Sequence, residues 1–153
     1  MAATWYQVSG DVRLAEPLAV AGAVLVLEAP ADGAPRRLLR LAAAGAAPTV
    51  LAAGYFAEGT LRASPDGKAV AAVWHESLAA VQRREAGLRW IGPGWAGLPG
   101  ELPRVTGFAW SPDGRRLAVG RHEAGRDWVE LYPAGAGAAA EILGSSPQWW
   151  SSR

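Results

Sequence analysis

Apolar residues in this chain come in short stretches rather than in long helical stripes. Residues 17–27, 37–41, 49–53, 69–74, 88–91, 107–110, 116–119, 127–132 and 138–143 are rich in Ala, Val, Leu, Ile and aromatic side chains. Some alternate strictly, as Asp127-Trp128-Val129-Glu130-Leu131-Tyr132 does. A period of two puts apolar side chains on one face of a strand. Gly- and Pro-rich clusters at 30–35, 92–103, 133–137 and 144–147 separate the stretches and leave little room for long helices. The pattern predicts an all-β chain of short antiparallel strands, with a further strand at 78–83. Segments 42–47 and 78–85 also have helix-compatible composition, so an α+β domain is the competing reading.

A repeat organises these strands. Ser64-Pro65-Asp66-Gly67 recurs as Ser111-Pro112-Asp113-Gly114, an offset of 47. Between Ser64 and Glu76, seven of thirteen positions are identical to their counterparts, among them Ala71 and the pair His75-Glu76, which faces His122-Glu123. Pro presets φ, Asp accepts the following bridge geometry, and Gly supplies the positive φ that closes a tight turn. Apolar stretches flank both copies, so each reads as a β-hairpin. Counting onward gives four short strands per 40–50 residues, the plan of a propeller blade. Ala19-Val20-Ala21-Gly22 stands where an earlier turn belongs, and 147–153 reads as a strand entering a later one. The expected blades are 17–56, 57–103 and 104–147, with 148–153 starting a further strand. About three four-stranded antiparallel blades are too few to close a ring alone.

The run Trp110-Ser111-Pro112-Asp113-Gly114-Arg115-Arg116-Leu117-Ala118-Val119 resembles a blade of the TolB-like and WD-repeat-like propellers. The Gly-His and Trp-Asp dipeptides of true WD repeats are absent, so the TolB-like class fits better. The resemblance covers about 61–143 and implies a scaffold that binds other proteins, with a lean towards the periplasm. Similar propellers also precede serine peptidase domains, so a remnant of such a protein is a lesser reading.

Composition narrows the chemistry. The chain has 153 residues, 50% hydrophobic and 19% charged, enough to bury a core. No cysteine excludes disulfides and thiolate chemistry. Fifteen basic and 14 acidic residues give a net charge of +1, and basic residues cluster only in pairs, which does not call for a nucleic-acid partner. The longest apolar run, 17–27, is about half the ~20 residues a membrane helix needs. It follows Asp11, Arg13 and Glu16 rather than a basic segment, so the expected location is cytoplasmic.

Candidate chemistry is sparse. His75 and His122 stand beside carboxylates, as zinc ligands or proton carriers do, but a strand-end dipeptide kept by repeat ancestry accounts for them. Asp66 and Asp113 belong to their turns. No nucleophile elbow, phosphate loop or EF-hand spacing occurs. The expectation is therefore no catalytic residue, no cofactor and no metal. Eight Trp are many for this length. Trp90 and Trp95 flank a turn and Trp149-Trp150 are adjacent, which makes them, with the two histidines, candidates for an interface or ligand contact. Adjacent strand residues face opposite ways, so Trp149 or Trp150 needs a cover. Three blades leave an open end, and the expected function is an interaction scaffold that completes its ring as a homo-oligomer, a dimer foremost, besides binding a protein partner. A carbohydrate- or peptide-binding module using exposed Trp and Arg is the alternative.

Overall fold

A computed structural model of the chain describes Gln7 and residues 12–95, 100–135 and 141–142. Trp149 and Trp150, and the strand expected at 148–153, lie outside the described residues. Val12–Val20 (β1), Ala23–Pro30 (β2), Arg36–Leu41 (β3) and Thr49–Phe56 (β4) pair in chain order as an antiparallel meander. Arg62–Ala63 (β5), Val70–His75 (β6), Gly87–Ile91 (β7) and Gly100–Leu102 (β8) form a second, and Val105–Trp110 (β9), Arg116–Glu123 (β10), Arg126–Pro133 (β11) and Glu141–Ile142 (β12) a third. Successive sheets pack face to face. The fold is all-β, built of three propeller blades, too few to close a ring alone.

The first and second blades share a strand. The last two residues of β4, Tyr55 and Phe56, leave the first blade and pair with His75 and Trp74 of β6. The innermost strand of the second blade is thus split between the tail of β4 and β5. The Thr60 hydroxyl fills the gap, accepting from the Val73 amide at 3.1 Å and donating to the Ala57 carbonyl at 2.8 Å. A buried ladder group left open would cost stability, and the hydroxyl replaces the missing backbone partner.

Alternation sorts each blade into two faces. Leu25, Leu27, Leu38 and Ala52 of the first blade meet Phe56, Val70, Ala72, Trp74 and Ile91 of the second. The other face of the second blade, with Ala71, Leu88 and Trp90, meets Val105, Phe108, Trp110, Leu117, Val119 and Tyr132 of the third. Strand β6 is therefore covered on both sides, and its run Val70-Ala71-Ala72-Val73-Trp74 shows no polar alternation. The outer face of the first blade is buried in part, at Val26, Leu39 and Leu41, packed with Ala15 and Val24 of its own sheet, while Val50, opposite Leu39, is 55% exposed.

Residues 78–83 depart from the strand expectation. Leu78–Arg83 forms a short helix, α1, between β6 and β7. Ser77 caps its start by accepting from the Ala80 amide at 3.1 Å, and Arg84 ends it in the left-handed region at φ 57°. Leu, Ala, Gln and Arg are good helix formers, and the segment has no neighbouring strand to pair with. The fourth strand of this blade is instead β8, inside the Gly/Pro-rich stretch read as a loop. Segment 42–47, the other helix-compatible stretch, is turn and bend. No helix among the described residues is long and apolar enough to cross a membrane.

Candidate functional site

The repeated tetrapeptides fold alike. Ser64 Oγ donates to Asp66 Oδ1 at 2.6 Å and accepts from the Ala69 amide at 3.0 Å, while Asp66 Oδ1 accepts from the Lys68 amide. Ser111, Asp113, Arg115 and Arg116 reproduce each contact, with Ser111 Oγ donating to Asp113 Oδ1 at 2.6 Å. The Ser hydrogen bond, then the backbone amide, hold both Asp carboxyls below their ordinary value. Gly67 and Gly114 supply φ of 68° and 69° after Pro65-Asp66 and Pro112-Asp113.

These turns also touch one another. The Ala21 amide donates to the Gly67 carbonyl at 2.9 Å, and a Cβ on Gly67 would stand 2.7 Å from that amide nitrogen. A Cβ on Gly114 would stand 2.8 Å from Asp66 Oδ1. Each blade's turn therefore seats against the next through a glycine. Trp110 Nε1 adds a hydrogen bond to the Arg62 carbonyl at 3.1 Å, tying the third blade to the second.

The opposite rim carries the β2–β3, β6–β7 and β10–β11 connections, and the two histidines lie there. His75 Nδ1 is 2.9 Å from the Glu85 carbonyl, and His122 Nδ1 is 2.7 Å from Asp127 Oδ1. Each is held by a partner in its own blade, and among the described residues no three His, Cys, Asp or Glu side chains gather as metal ligands. Glu85 is bonded by Arg83, which lowers the carboxyl's pKa and raises that of the guanidinium. Glu123 is paired with Arg104. Between the second and third blades Glu85, Arg104 and Glu123 border a cleft of about 550 Å³, with Trp74, Gly87, Pro103 and Arg121 among its walls.

The tryptophans divide. Trp90 is buried between the second and third blades, 5.4 Å from the Tyr132 ring, and is no surface contact. Trp95 is half-buried against the core of the first two blades. A strand buried on both faces gives no sequence sign of which aromatic side chains reach solvent.

One cluster was not anticipated. Glu130 accepts from Trp128 Nε1 at 2.8 Å, Tyr132 OH at 2.5 Å and Arg121 at 3.0 Å. Partial burial works against its charge, but the bonds from Trp128 and Tyr132 and the charge of Arg121 outweigh it, so its pKa falls. Burial, then Glu130, push the Tyr132 phenol up to about 12. A raised phenol favours the fold at neutral pH and loses that contribution as pH rises through its folded value. The spacing of Trp128, Glu130 and Tyr132 at every second residue was the available signal.

The outer face of the third blade is open. Register places Ala109, Ala118 and Leu131 side by side on it, then Gly107, Gly120 and Val129. Ala109 and Gly107 are exposed, and Val129 keeps 36% of its surface in solvent. In the second blade the matching positions are Ala71 and Trp90, then Val73 and Leu88, and Leu88 is wholly buried. At the turn end of the open face, Ser111, Pro112, Asp113, Arg116 and Leu131 line a hollow of about 460 Å³.

No family model matches the sequence, and no curated protein matches it either. Solved structures do. Over 92% of its length, at 13% identity and a TM-score of 0.56, the chain is similar to the β-propeller domain of the Trilobed protease from Pyrococcus furiosus, described as having an open velcro topology. Over 90%, at 16% identity and a TM-score of 0.58, it is similar to a prolyl endopeptidase. The matches cover 44% and 23% of those chains, so this chain spans less than half of either. Identities this low show the propeller fold alone.

Proposed function

We propose that this chain is a non-catalytic interaction module built from TolB-like propeller blades, which recognises another protein through the outer face of its third blade. The observation that carries this reading is the contrast between the open face at Val129 and Leu131 and the buried, equivalent face at Leu88 and Trp90. Exposed apolar sheet surface of this kind marks a partner site. The rim carboxylates Glu85 and Glu123 are engaged by Arg83 and Arg104, which suits presentation of a charged surface better than proton transfer. A peptide- or sugar-binding reading draws on the cleft walled by Trp74 and Arg121.

Val129→Glu tests the choice. The side chain is exposed, so stability should change by no more than about 0.5 kcal/mol. Tagged wild-type chain is expected to retain partners that the variant loses. Equal retention by both overturns the face as the recognition surface and favours the cleft, which the substitution leaves intact.

A further inference from the structure

We propose that residues 1–11 of this chain lie across the outer face of the first blade as an extended strap. The proposal is independent of what binds the third blade. Three observations on the first blade carry it.

The first is burial that the sheet itself does not supply. Register sets Val24, Val26 and Glu28 of β2 beside Leu41, Leu39 and Arg37 of β3 on this face. Val26 is 5% exposed, Leu39 2% and Leu41 0%, yet the apolar side chains packed with them among the described residues are Ala15 and Val24 of the same sheet. Neighbours in one sheet shield the flanks of a side chain and not its tip, so another segment stands over it. The Glu28 side chain is 1% exposed although that of Arg37 is 49% exposed, and Arg37 is not its only partner. A carboxylate so buried needs such further support.

The second is the shape of the buried area, a track along β2 and β3. Pro17 and Ala19 are exposed on one side of it, and Val50 and Ala53 on the other. A neighbouring blade or a second copy would cover the whole face. A track two strands wide, about 10 Å, fits one extended segment. The burial is reached within a single chain, so the segment is the chain's own.

The third is reach. β1 begins at Val12, opposite Pro30 at the end of β2. Eleven extended residues span about 36 Å, and the path from Val12 over Glu28 and Val26 to Leu41 needs about 25 Å. The next blade shows the same route: Ala52 and Phe56 of β4 cover Val70 and Ala72 before the chain enters that blade's innermost strand. Residues 1–11 stand in the same relation to β1, and Trp5, Tyr6 and Val8 give them apolar side chains to lay down, while Gln7 is exposed. Segments 96–99 and 136–140 are tied at both ends to the second and third blades. Segment 143–153 leaves from β12, two sheets away at about 10 Å or more each, and would spend its length in arriving.

NMR on the full chain tests this. Methyl groups of Val26, Leu39 and Leu41 are expected to show nuclear Overhauser contacts with side chains of residues 1–11. Contacts with 143–153 instead, or with neither terminal segment, overturn the proposal. Thiol labelling gives a second reading, because the chain has no cysteine of its own. Val26→Cys should react about 100-fold more slowly than Val50→Cys. Removing residues 2–8 should narrow that gap to about threefold and leave Val119→Cys, sealed between the second and third blades, protected. Slow labelling of Val26→Cys in the shortened chain overturns the proposal. If Val119→Cys opens as well, the shortened chain has unfolded, and the Overhauser contacts of the intact chain decide.

Discussion

The second and third blades share a turn motif and, in the hairpin around it, a register at an offset of 47, yet their outer faces differ in what covers them. Leu88 sits opposite Val73 and is wholly buried. Val129 sits opposite Gly120, the counterpart of Val73, and is 36% exposed. The side chains follow this difference. Trp90, Leu88 and Val73 give way to Leu131, Val129 and Gly120, so bulk falls on the face that no described blade covers. Repeat position decides which way a side chain points, and the next blade decides whether pointing that way buries it.

Truncation separates the two faces most strongly. Leu88→Ala empties a wholly buried site and should cost about 2–5 kcal/mol in urea unfolding. Val129→Ala, at the matching position, should cost no more than about 0.5 kcal/mol. Equal losses at both positions in dilute solution would show the third blade's face to be packed as the second's is.

The motif, the meander plan and the alternation in β11 were legible because each is local. Ser64-Pro65-Asp66-Gly67 needs only its own residues to turn. What escaped depended on neighbours. Residues 78–83 have the apolar content of a strand as well as good helix formers behind a Ser77 cap, and the want of a pairing strand decides for the helix. Trp90 looked like a surface residue because nothing local records a second blade above it. The Glu130 cluster needed Arg121 of an adjacent strand, which register supplies and linear order hides. The contacts of Ala21 with Gly67 and of Asp66 with Gly114 join turns in different blades, and no spacing rule reveals them.

Those contacts give a second, smaller contrast. Gly22, Gly67 and Gly114 all hold φ near 68°, where any Cβ costs about 1–2 kcal/mol. At Gly22 that is the whole expected loss from substitution by Ala, since the space around it is open. At Gly67 the new Cβ also meets the Ala21 backbone nitrogen at 2.7 Å, an atom that moves only with its strand. Gly67→Ala should therefore lose about 1–3 kcal/mol more than Gly22→Ala. Gly114→Ala should fall between, because Asp66 is a side chain and can turn aside. Equal denaturation midpoints for all three would show that the turns do not bear on one another.

The smallest contrast concerns the carboxylates of the two turns. Asp66 and Asp113 both titrate below their ordinary value, first through a Ser hydroxyl and then through a backbone amide. A folded value below the unfolded one, about 3.9, stabilises the fold above that pH. The contribution is lost as pH falls through the folded value. Both carboxylates face solvent, so screening keeps it small. Asp66→Asn and Asp113→Asn should each flatten the decline of stability below about pH 4, and by similar amounts, because the same two bonds act on both. Carboxyl carbon shifts followed by NMR would give each folded value directly. If only Asp66 titrates low, its seat on Gly114 sets the shift rather than its own turn.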